Sequence, residues 1–392
     1  LSLNAKKTLG LLSTMQYQIC SRCIMDTSDP DISFDAESVC SHCHNFDDNV
    51  RLNWHPDAEG RRMLDTIVAQ IKREGVGKDY DCAIGLSGGV DSSYLAYVAR
   101  KELGLRLLAV HVDGGWNSEL ATRNIENIVN KLDIDLHTSV VDWEEMRDLQ
   151  RAFLRAGLAN QDVPQDHAFF ASLYSTAQSY GLRYVLSGGN IATESIMPEE
   201  WAYNAMDLRH LEAVHRRFGT RKLKSFPRVG FFHYYFWNRY VKRMRVIRPL
   251  NYMPYVKDEA IALLERELGF RYYGGKHFES RFTKWQQLYY RPRKFGYDER
   301  RPYLSSMILS GQMTREQALE ALAGDGVNER QAEEDTEFVL NKLSISRREF
   351  NQIIEQPSRT FRDYPSNYLL FNFKTAVREW LRSKGLVLHP NS

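Results

Sequence analysis

Residues 87–93 read Ser-Gly-Gly-Val-Asp-Ser-Ser, and this stretch decides the fold. An apolar run at 82–86 precedes it and predicts a short buried strand, while the apolar-rich residues 94–99 predict the start of a helix. A strand, a glycine-rich turn and a helix N-terminus suit phosphate, because the unpaired N–H groups of the first turn point at the anion and the helix dipole favours it. Gly88 and Gly89 allow the close backbone approach that this geometry requires.

The pattern SGGxDS resembles the PP-loop of the ATP pyrophosphatase superfamily. No lysine follows the glycines and GxxxxGK[ST] is absent from the sequence, which excludes the kinase-type loop. The resemblance implies cleavage of ATP between its α and β phosphates, with AMP passed to an oxygen of the substrate. The alternative is a glycine turn that binds no ligand.

Strand and helix patterns alternate on both sides of this loop and predict an α/β fold, a Rossmann-like parallel sheet with helices on both faces. The predicted strands are 81–86, 106–112, 136–141, 184–186 and a fifth at 245–249. The predicted helices of this region are 57–74, 92–103, 118–132, 143–156, 166–180, 258–268 and 282–290. Shorter helices are expected at 314–322, 329–342 and 371–383.

Ligands of such sheets bind beyond the carboxyl ends of the strands, so the residues that follow each strand are the candidates. Asp113 follows the second strand and is a candidate for the ribose or the adenine amine of ATP. Asn190 and Glu194 follow the fourth strand and are candidates for phosphate or Mg²⁺. Each of these residues alone is more often an ordinary polar loop residue. Their convergence at the strand ends makes a binding role more credible for all three.

A second glycine-rich helix start, Gly-Gly-Lys-His-Phe-Glu-Ser-Arg at 274–281, also suits an anion. Lys276 is the candidate for a second phosphate clamp and Arg281 for its helper, with a solvated surface charge as the alternative for each. The expected catalytic residues are Asp91, Lys276 and Asn190. The expected contacts of ATP and pyrophosphate are Ser87, Gly88, Gly89, Val90, Asp91, Ser92, Ser93, Asp113, Gly188, Gly189, Glu194 and Arg281.

Four of the five cysteines form two CxxC pairs, Cys20/Cys23 and Cys40/Cys43, with the spacing of a four-thiolate zinc site. Such a closed site is structural, because it leaves no open coordination position. Disulfides fit poorly, since nothing marks the chain for export. His42 and His44 are possible substitute ligands. Cys82 falls in the first strand and is expected in the core, so no activated thiol is left for nucleophilic chemistry.

Charge is unevenly distributed although the net charge of the 392 residues is only +2. Residues 209–248 contain twelve Lys or Arg and one acid, Glu212, which indicates an anionic ligand, an acidic partner or a solvated basic face. Within this block, residues 231–237 (Phe-Phe-His-Tyr-Tyr-Phe-Trp) are expected to pack in the core, or else to form a sugar- or base-stacking surface. No apolar stretch is long enough for a membrane span, so no membrane contact is expected. The expected location is the cytoplasm.

The motifs taken together closely resemble the N-acetyl sugar amidotransferases of bacterial surface-polysaccharide (lipopolysaccharide O-antigen) and nonulosonic-acid biosynthesis. The resemblance rests on the cysteine segment at 20–43, the loop at 87–93, and the segments Gly-Lys-His-Phe-Glu-Ser at 275–280 and Lys-Phe-Gly-Tyr-Asp at 294–298. It implies that ATP and Mg²⁺ convert an acetamido group of a nucleotide-activated sugar into an acetamidino group. It also implies ammonia from a separate glutaminase and a cyclase-like subunit.

The expected domains are an N-terminal extension at 1–15, the zinc module at 16–50, a PP-loop domain at 51–300 with a basic-aromatic insertion at 201–245, and a helical region at 301–392. Two other functions remain open. A tRNA-modifying PP-loop enzyme fits the CxxC pairs and the basic block. Thiolation, however, usually needs a cysteine that carries or relays sulfur, and Cys82 is badly placed for it. Nucleic acid is therefore the less favoured partner. A zinc scaffold on an inactive nucleotide fold is disfavoured by the intact loop at 87–93.

Overall fold

The computed structural model describes residues 17–324 and 328–384; the expected extension at 1–15 lies outside them. Five strands form one sheet: β1 Cys82–Gly85, β2 Leu107–Asp113, β3 Asp135–Val140, β4 Tyr184–Leu186 and β5 Arg245–Ile247. Their order is β3-β2-β1-β4-β5, and every neighbouring pair is parallel. The predicted parallel sheet is therefore confirmed. Its strand order reverses at β1, so a crevice for ligands opens beyond the carboxyl ends of β1 and β4.

The helices follow the predicted pattern with small shifts at their ends. The α-helices are α1 Ser41–Asn45, α2 Ala58–Glu74, α3 Val90–Tyr97, α4 Glu119–Leu132, α5 Trp143–Ala156, α6 Val163–Ser179, α7 Ile191–Glu194, α8 Leu208–Phe218, α9 Lys257–Leu268, α10 Arg281–Trp285, α11 Arg291–Phe295, α12 Arg300–Leu309, α13 Arg315–Ala323, α14 Glu329–Leu343, α15 Arg347–Glu355 and α16 Tyr368–Ser383. Wider π-type turns occur at Phe46–Val50, Val98–Glu102, His233–Val241 and Gln286–Tyr290, and 3₁₀ turns at Arg51–Asn53, Pro249–Asn251 and Phe361–Asp363. None of the described helices is long and apolar enough to cross a bilayer.

Helix starts lie where capping side chains are available. Asp57 accepts a hydrogen bond from the Gly60 N–H at the start of α2, and Ser118 accepts one from the Ala121 N–H at the start of α4. These bonds satisfy donors that the first turn leaves free. At the other end of α9, Gly269 adopts a left-handed conformation and ends the helix, as predicted.

Two apolar clusters, one on each face of the sheet, give the protein its layers. On one face, α2, α3, α4 and α9 pack against the strands, with Leu64, Leu95 and Leu264 among the buried residues. On the other, α5, α6 and α8 do so, with Phe153 and Val214 buried. Strands covered on both faces are apolar throughout, which explains the continuous apolar runs of β1 and β2.

The aromatic run does not pack in the core as expected. Phe231 is buried, but Phe232, Phe236 and Trp237 are 68%, 51% and 46% exposed. The core prediction is therefore wrong for these three residues. The reason is that the turn His233–Val241 lies outside the two helical layers, so only one side of it contacts the rest of the protein.

Candidate active site and cysteine cluster

The loop at 87–93 has the conformation of an anion cradle. Gly88 has φ +78°, and a Cβ there would lie 2.7 Å from the Ala121 carbonyl oxygen, so only glycine fits. Gly89 is the N-cap of α3, and no side chain caps that helix start. The hydroxyls of Ser92 and Ser93 turn inward and donate to the Gly89 carbonyl at 3.3 and 2.6 Å. The Val90 N–H is bonded to the Tyr273 hydroxyl, so the first-turn donors left for an anion in the described part of the chain are the N–H groups of Asp91 and Ser92.

The loops that follow β1 and β4 touch one another. A Cβ on Gly188 would lie 3.0 Å from both the carbonyl carbon of Asp91 and the backbone nitrogen of Ser92. The next residue but one, Asn190, is buried and caps α7: its amide oxygen accepts from the Thr193 N–H at 2.9 Å and the Thr193 hydroxyl at 3.1 Å. Asn190 thus shapes the turn that carries Glu194.

Lys276, Glu194 and Asp91 form the charged centre of the crevice. The Lys276 Nζ lies 3.0 Å from Oε1 of Glu194 and donates to the Thr193 carbonyl at 3.3 Å. Burial and repulsion from Glu194 raise the pKa of Asp91, although attraction from Lys276 opposes both. Burial also acts to raise the pKa of Glu194, but opposing interactions, of which the attraction of Lys276 is the largest, leave that pKa lowered. Lys276 therefore acts on both carboxylates, and the buried Lys257 is a further cation whose attraction also acts on Asp91.

Three residues around this centre were not singled out from the sequence. The hydroxyl of Tyr255 donates to Asp91, and that of Tyr273 accepts the Val90 N–H at 3.1 Å. Lys257 is buried with its Nζ 4.6 Å from the centre of the Tyr303 ring, and burial lowers its pKa. No spacing rule connects these residues to the loop at 87–93, because long-range packing of α9 and the following segment brings them there.

Glu279 is a fourth residue that the sequence did not assign, although it belongs to the segment that carries Lys276. A Cβ on Gly89 would lie 2.8 Å from its Oε1 atom, and its Oε2 atom is buried with no hydrogen-bond partner in the described part of the chain. Burial, and then repulsion from Asp91, raises the pKa of Glu279 to about 7. The neighbouring His277 has φ +62°, and burial lowers its pKa to about 3.

The structure places Asp113 and Arg281 at the margins of this centre. Asp113 ends β2, and its Oδ1 accepts from the Gly115 N–H at 2.7 Å. The segment that follows β2 reaches the crevice, since the Ser118 N–H donates to the Glu279 carbonyl at 2.9 Å. Arg281 is turned toward α14: its Nε donates to Asp335 at 2.8 Å and its guanidinium covers the Phe338 ring at 3.7 Å.

The four cysteines of the CxxC pairs form one buried cluster. The Sγ atoms of Cys20 and Cys43 are 3.8 Å apart, those of Cys23 and Cys40 are 3.6 Å apart, and all four lie within 4.8 Å of one another. A disulfide requires about 2.05 Å. A tetrahedral zinc site with Zn–S bonds of about 2.3 Å has edges of about 3.8 Å, which matches these separations.

Neighbouring groups support the cluster but do not join it. The backbone N–H groups of Cys23 and Cys40 point at Cys20 Sγ, at 3.4 and 3.2 Å, as bonds to a thiolate would. His42 and His44 bind Asp29 and Asp35 at 2.6 and 2.7 Å, and neither belongs to the described metal-ligand group.

Helix α12 connects the cysteine cluster to the crevice. Ser305 on α12 accepts the Ile24 N–H at 3.2 Å, and Ser306, one residue later, accepts the Ile196 N–H at 3.1 Å. Ile196 also packs in the apolar shell of the cysteines and lies two residues beyond Glu194. The cluster therefore supports the turn that presents Glu194 to Lys276.

The parallel sheet and the glycine-rich cradle at its switch point define a domain of the PP-loop ATP pyrophosphatase type. In agreement, residues 61–196 match the family model described as NAD synthase. Residues 279–378 match the model described as LPS biosynthesis protein WbpG-like, C-terminal domain. Together the two matches support an LPS-related PP-loop amidotransferase family, and the class of activity that they indicate is that of an ATP-dependent C–N ligase.

Comparison with solved structures finds distant likenesses. NH3-dependent NAD synthetase from Campylobacter jejuni subsp. jejuni NCTC 11168, in complex with the nitrate ion, is 12% identical, with 40% of this chain and 72% of that chain covered and a TM-score of 0.28. NMN synthetase from Francisella tularensis is 14% identical, with 76% and 97% covered and a TM-score of 0.30. Both scores are too low for either likeness to bear on the site. Comparison with curated proteins finds no match.

Proposed function

We propose that the protein is an ATP-dependent amidotransferase that converts an acetamido group of a nucleotide-activated sugar into an acetamidino group. The observation that carries the proposal is the contact between the loop at 87–93 and the turn carrying Glu194, with Lys276 across from them. The match of the C-terminal part to an LPS biosynthesis domain supports a sugar as the substrate, because lipopolysaccharide is built from sugars. We also propose that the chain is divided into a zinc module (16–50), a PP-loop domain (51–300) and a helical region (301–392).

The proposed reaction has two steps. The carbonyl oxygen of the acetamido group attacks the α-phosphorus of ATP, the bond to the β-phosphate oxygen breaks, and pyrophosphate leaves. Ammonia then attacks the carbon of the O-adenylated imidate, the carbon–oxygen bond to AMP breaks, and a proton is lost. The products are the amidine, AMP and pyrophosphate. Adenylation is needed because an amide carbonyl is a poor electrophile.

The residues of the crevice have distinct proposed roles. The N–H groups of the loop, at Val90, Asp91 and Ser92, hold the departing pyrophosphate, and Lys276 compensates the charge that grows on it. Tyr273 must release the Val90 N–H for this, because its hydroxyl now accepts that group. Glu279 is placed beside Gly89 with a raised pKa, so it is our candidate for accepting the proton lost in the second step.

Two metal ions are part of the proposal. Asp91 and Glu194 offer carboxylate oxygens at the crevice, the ligand type that Mg²⁺ prefers, whereas the amide oxygen of Asn190 is already occupied by Thr193. Bound Mg²⁺ would supply charge neutralisation for the phosphates of ATP. Cys20, Cys23, Cys40 and Cys43 would hold a structural Zn²⁺, for which their separations fit.

Ammonia is proposed to come from another polypeptide. All five cysteines are buried, four of them in the cluster, and burial raises the pKa of the Cys82 thiol. A glutaminase of the common type needs a reactive cysteine, and none of these qualifies. We propose a glutaminase and a cyclase-like subunit as the source.

The decisive experiment measures AMP and pyrophosphate formed by the purified chain with ATP, Mg²⁺, an ammonium salt and a panel of N-acetylated nucleotide sugars. The expected result is AMP formation that requires one of these sugars, with a product that is lighter by the difference between O and NH. Formation of ADP would contradict the proposal. So would AMP formation that requires tRNA and no sugar, which would instead support a tRNA-modifying enzyme.

A further inference from the structure

The turn His233–Val241 and α16 lie against each other and leave apolar side chains in solvent. Phe371 of α16 contacts Phe231 and Tyr235, with ring centres 5.3 and 5.7 Å apart. On the outer side of the turn, Phe232, Phe236 and Tyr240 form a continuous stripe with ring separations of 5.8 and 6.1 Å. All three rings are more than half exposed.

Helix α16 carries a second set of exposed apolar side chains on its outer side. Leu369 and Phe373 are 80% and 70% exposed, and Trp380 is exposed as well. Their spacing of four and seven residues places them on one face of the helix. We call the surface formed by Phe232, Phe236, Trp237 and Tyr240, which Leu370 of α16 borders, the aromatic face. Monomeric proteins seldom expose a contiguous apolar surface of this kind without a binding partner.

Positive charge borders the aromatic face. Arg239, Lys242, Arg243 and Arg245 are exposed, and none of them pairs with a carboxylate in the described part of the chain. The sequence from 213 to 257 contains no Asp or Glu. The cations of this border are therefore available to an anionic partner.

A groove of about 500 Å³ opens between α8, residues 230–232 at the start of the aromatic run, and the start of α16. Its lining combines the apolar Phe231, Phe232 and Leu370 with two cations, Arg209 and Arg216, and with one carboxylate, Glu212, which pairs with Arg228 at 3.6 Å. Apolar walls with cations beside them suit a molecule that is itself apolar at one end and anionic at the other.

We propose that the aromatic face binds the surface of an anionic lipid bilayer. Aromatic and aliphatic side chains that protrude beside cations are the composition of helices that lie in a membrane interface. A second copy of this chain is disfavoured, because a symmetric contact would bring the same cations together. RNA is disfavoured because the groove beside the face is walled partly by aliphatic side chains, Leu208 and Leu370, which offer no stacking surface to a base. The expectation of no membrane contact was based on the absence of a membrane span. It does not bear on this proposal, because binding at a bilayer surface requires no span.

The test is co-sedimentation of the full chain with vesicles of phosphatidylcholine alone and with vesicles that also contain phosphatidylglycerol. We expect binding to the second kind only, decreasing as salt rises. Replacement of Arg239 and Lys242 by alanine should weaken binding about fivefold for each residue. The double variant Phe236→Ser/Trp237→Ser should abolish it. A matched control is Lys101→Ala/Lys131→Ala, which removes two exposed lysines far from the aromatic turn in sequence and should leave binding unchanged.

Three results would overturn the proposal. They are absence of binding to either kind of vesicle, equal binding by Phe236→Ser/Trp237→Ser and wild type, and binding of tRNA in place of anionic vesicles. Sedimentation velocity provides a further test, since a dimer that Phe236→Ser/Trp237→Ser converts to monomer would assign the face to a second copy. Circular dichroism of each variant establishes that it is folded. No turnover is measured, so the outcome is independent of the proposed amidotransferase activity.

Discussion

The Nζ atom of Lys276 lies 3.0 Å from Oε1 of Glu194, and this ion pair joins the segment before α10 to the turn after β4. Both side chains are largely buried, and Asp91 is close enough for Lys276 to act on its pKa. The buried Lys257 adds positive charge nearby, but Lys276 is the lysine that pairs directly with a carboxylate of this centre.

Replacement of this lysine by a neutral side chain of similar size, Lys276→Met, should impair ATP turnover strongly. Loss of one preorganised charge at a developing anion typically costs about 10²- to 10³-fold in rate. We expect this loss in pyrophosphate release together with a higher KM for ATP. Lys284→Met is the matched control: Lys284 pairs with Asp335, at 3.1 Å, and its loss should leave the KM for ATP unchanged. Equal effects of the two substitutions would contradict the role given to Lys276.

Asp91→Ala should abolish pyrophosphate release and leave the zinc content intact. Asp91 lies on the first turn of α3, whereas the cysteine cluster packs against Ile196 and Leu309. Pyrophosphate release and metal analysis of the same preparation test both parts. Loss of metal would mean that the two sites depend on each other more closely than these contacts indicate.

Cys23→Ser should remove zinc and lower the melting temperature. The cluster supports α12, and α12 supports the turn of Glu194, so ATP binding should weaken as well. Cys82→Ala changes a buried cysteine of β1 that is outside the cluster, and it should keep its zinc. If both variants retained the metal, the cysteine cluster would not be its site.

Glu279→Gln should make the thermal stability of the protein less sensitive to rising pH. The pKa of Glu279 is raised to about 7 when folded, so its contribution to stability is complete below the unfolded pKa of about 4.3 and is lost as the pH rises through about 7. Glutamine resembles the protonated acid at every pH. The melting temperatures of variant and wild type should therefore agree at acidic pH, and the variant should melt higher above about pH 7. A constant difference at all pH values would contradict the raised pKa.

Gly188→Ala should impair ATP binding, whereas Gly189→Ala should not. A methyl group on Gly188 would press on the backbone of Asp91 and Ser92 at 3.0 Å and displace the loop at 87–93. The nearest atoms to a Cβ on Gly189 are 3.5 Å away, an ordinary contact. Titration calorimetry with ATP distinguishes the two variants. Similar affinities would show that the two loops do not constrain each other.

Much of the architecture was predictable because its signals are local. The strand at 184–186 and the helix at 143–156 were predicted at the bounds that the structure has, since apolar periodicity reflects which side chains face a layer. The predicted helix at 92–103 instead begins at Val90, because Gly89 takes the N-cap position, and its second half widens into Val98–Glu102. The exposed side of the aromatic run escaped prediction because apolar composition does not reveal whether a layer covers it.

The sequence alone determined the loop at 87–93, the parallel sheet and the pairing of the CxxC motifs, because each depends on residues that are close in the chain or on a repeated pattern. Only the tertiary structure decided that Tyr255, Tyr273 and Glu279 surround that loop, that Asn190 is occupied by capping, and that Arg281 turns toward Asp335. The physical reason is that these contacts join segments far apart in sequence. Packing of whole helices on the sheet sets their positions, and no local preference encodes that packing.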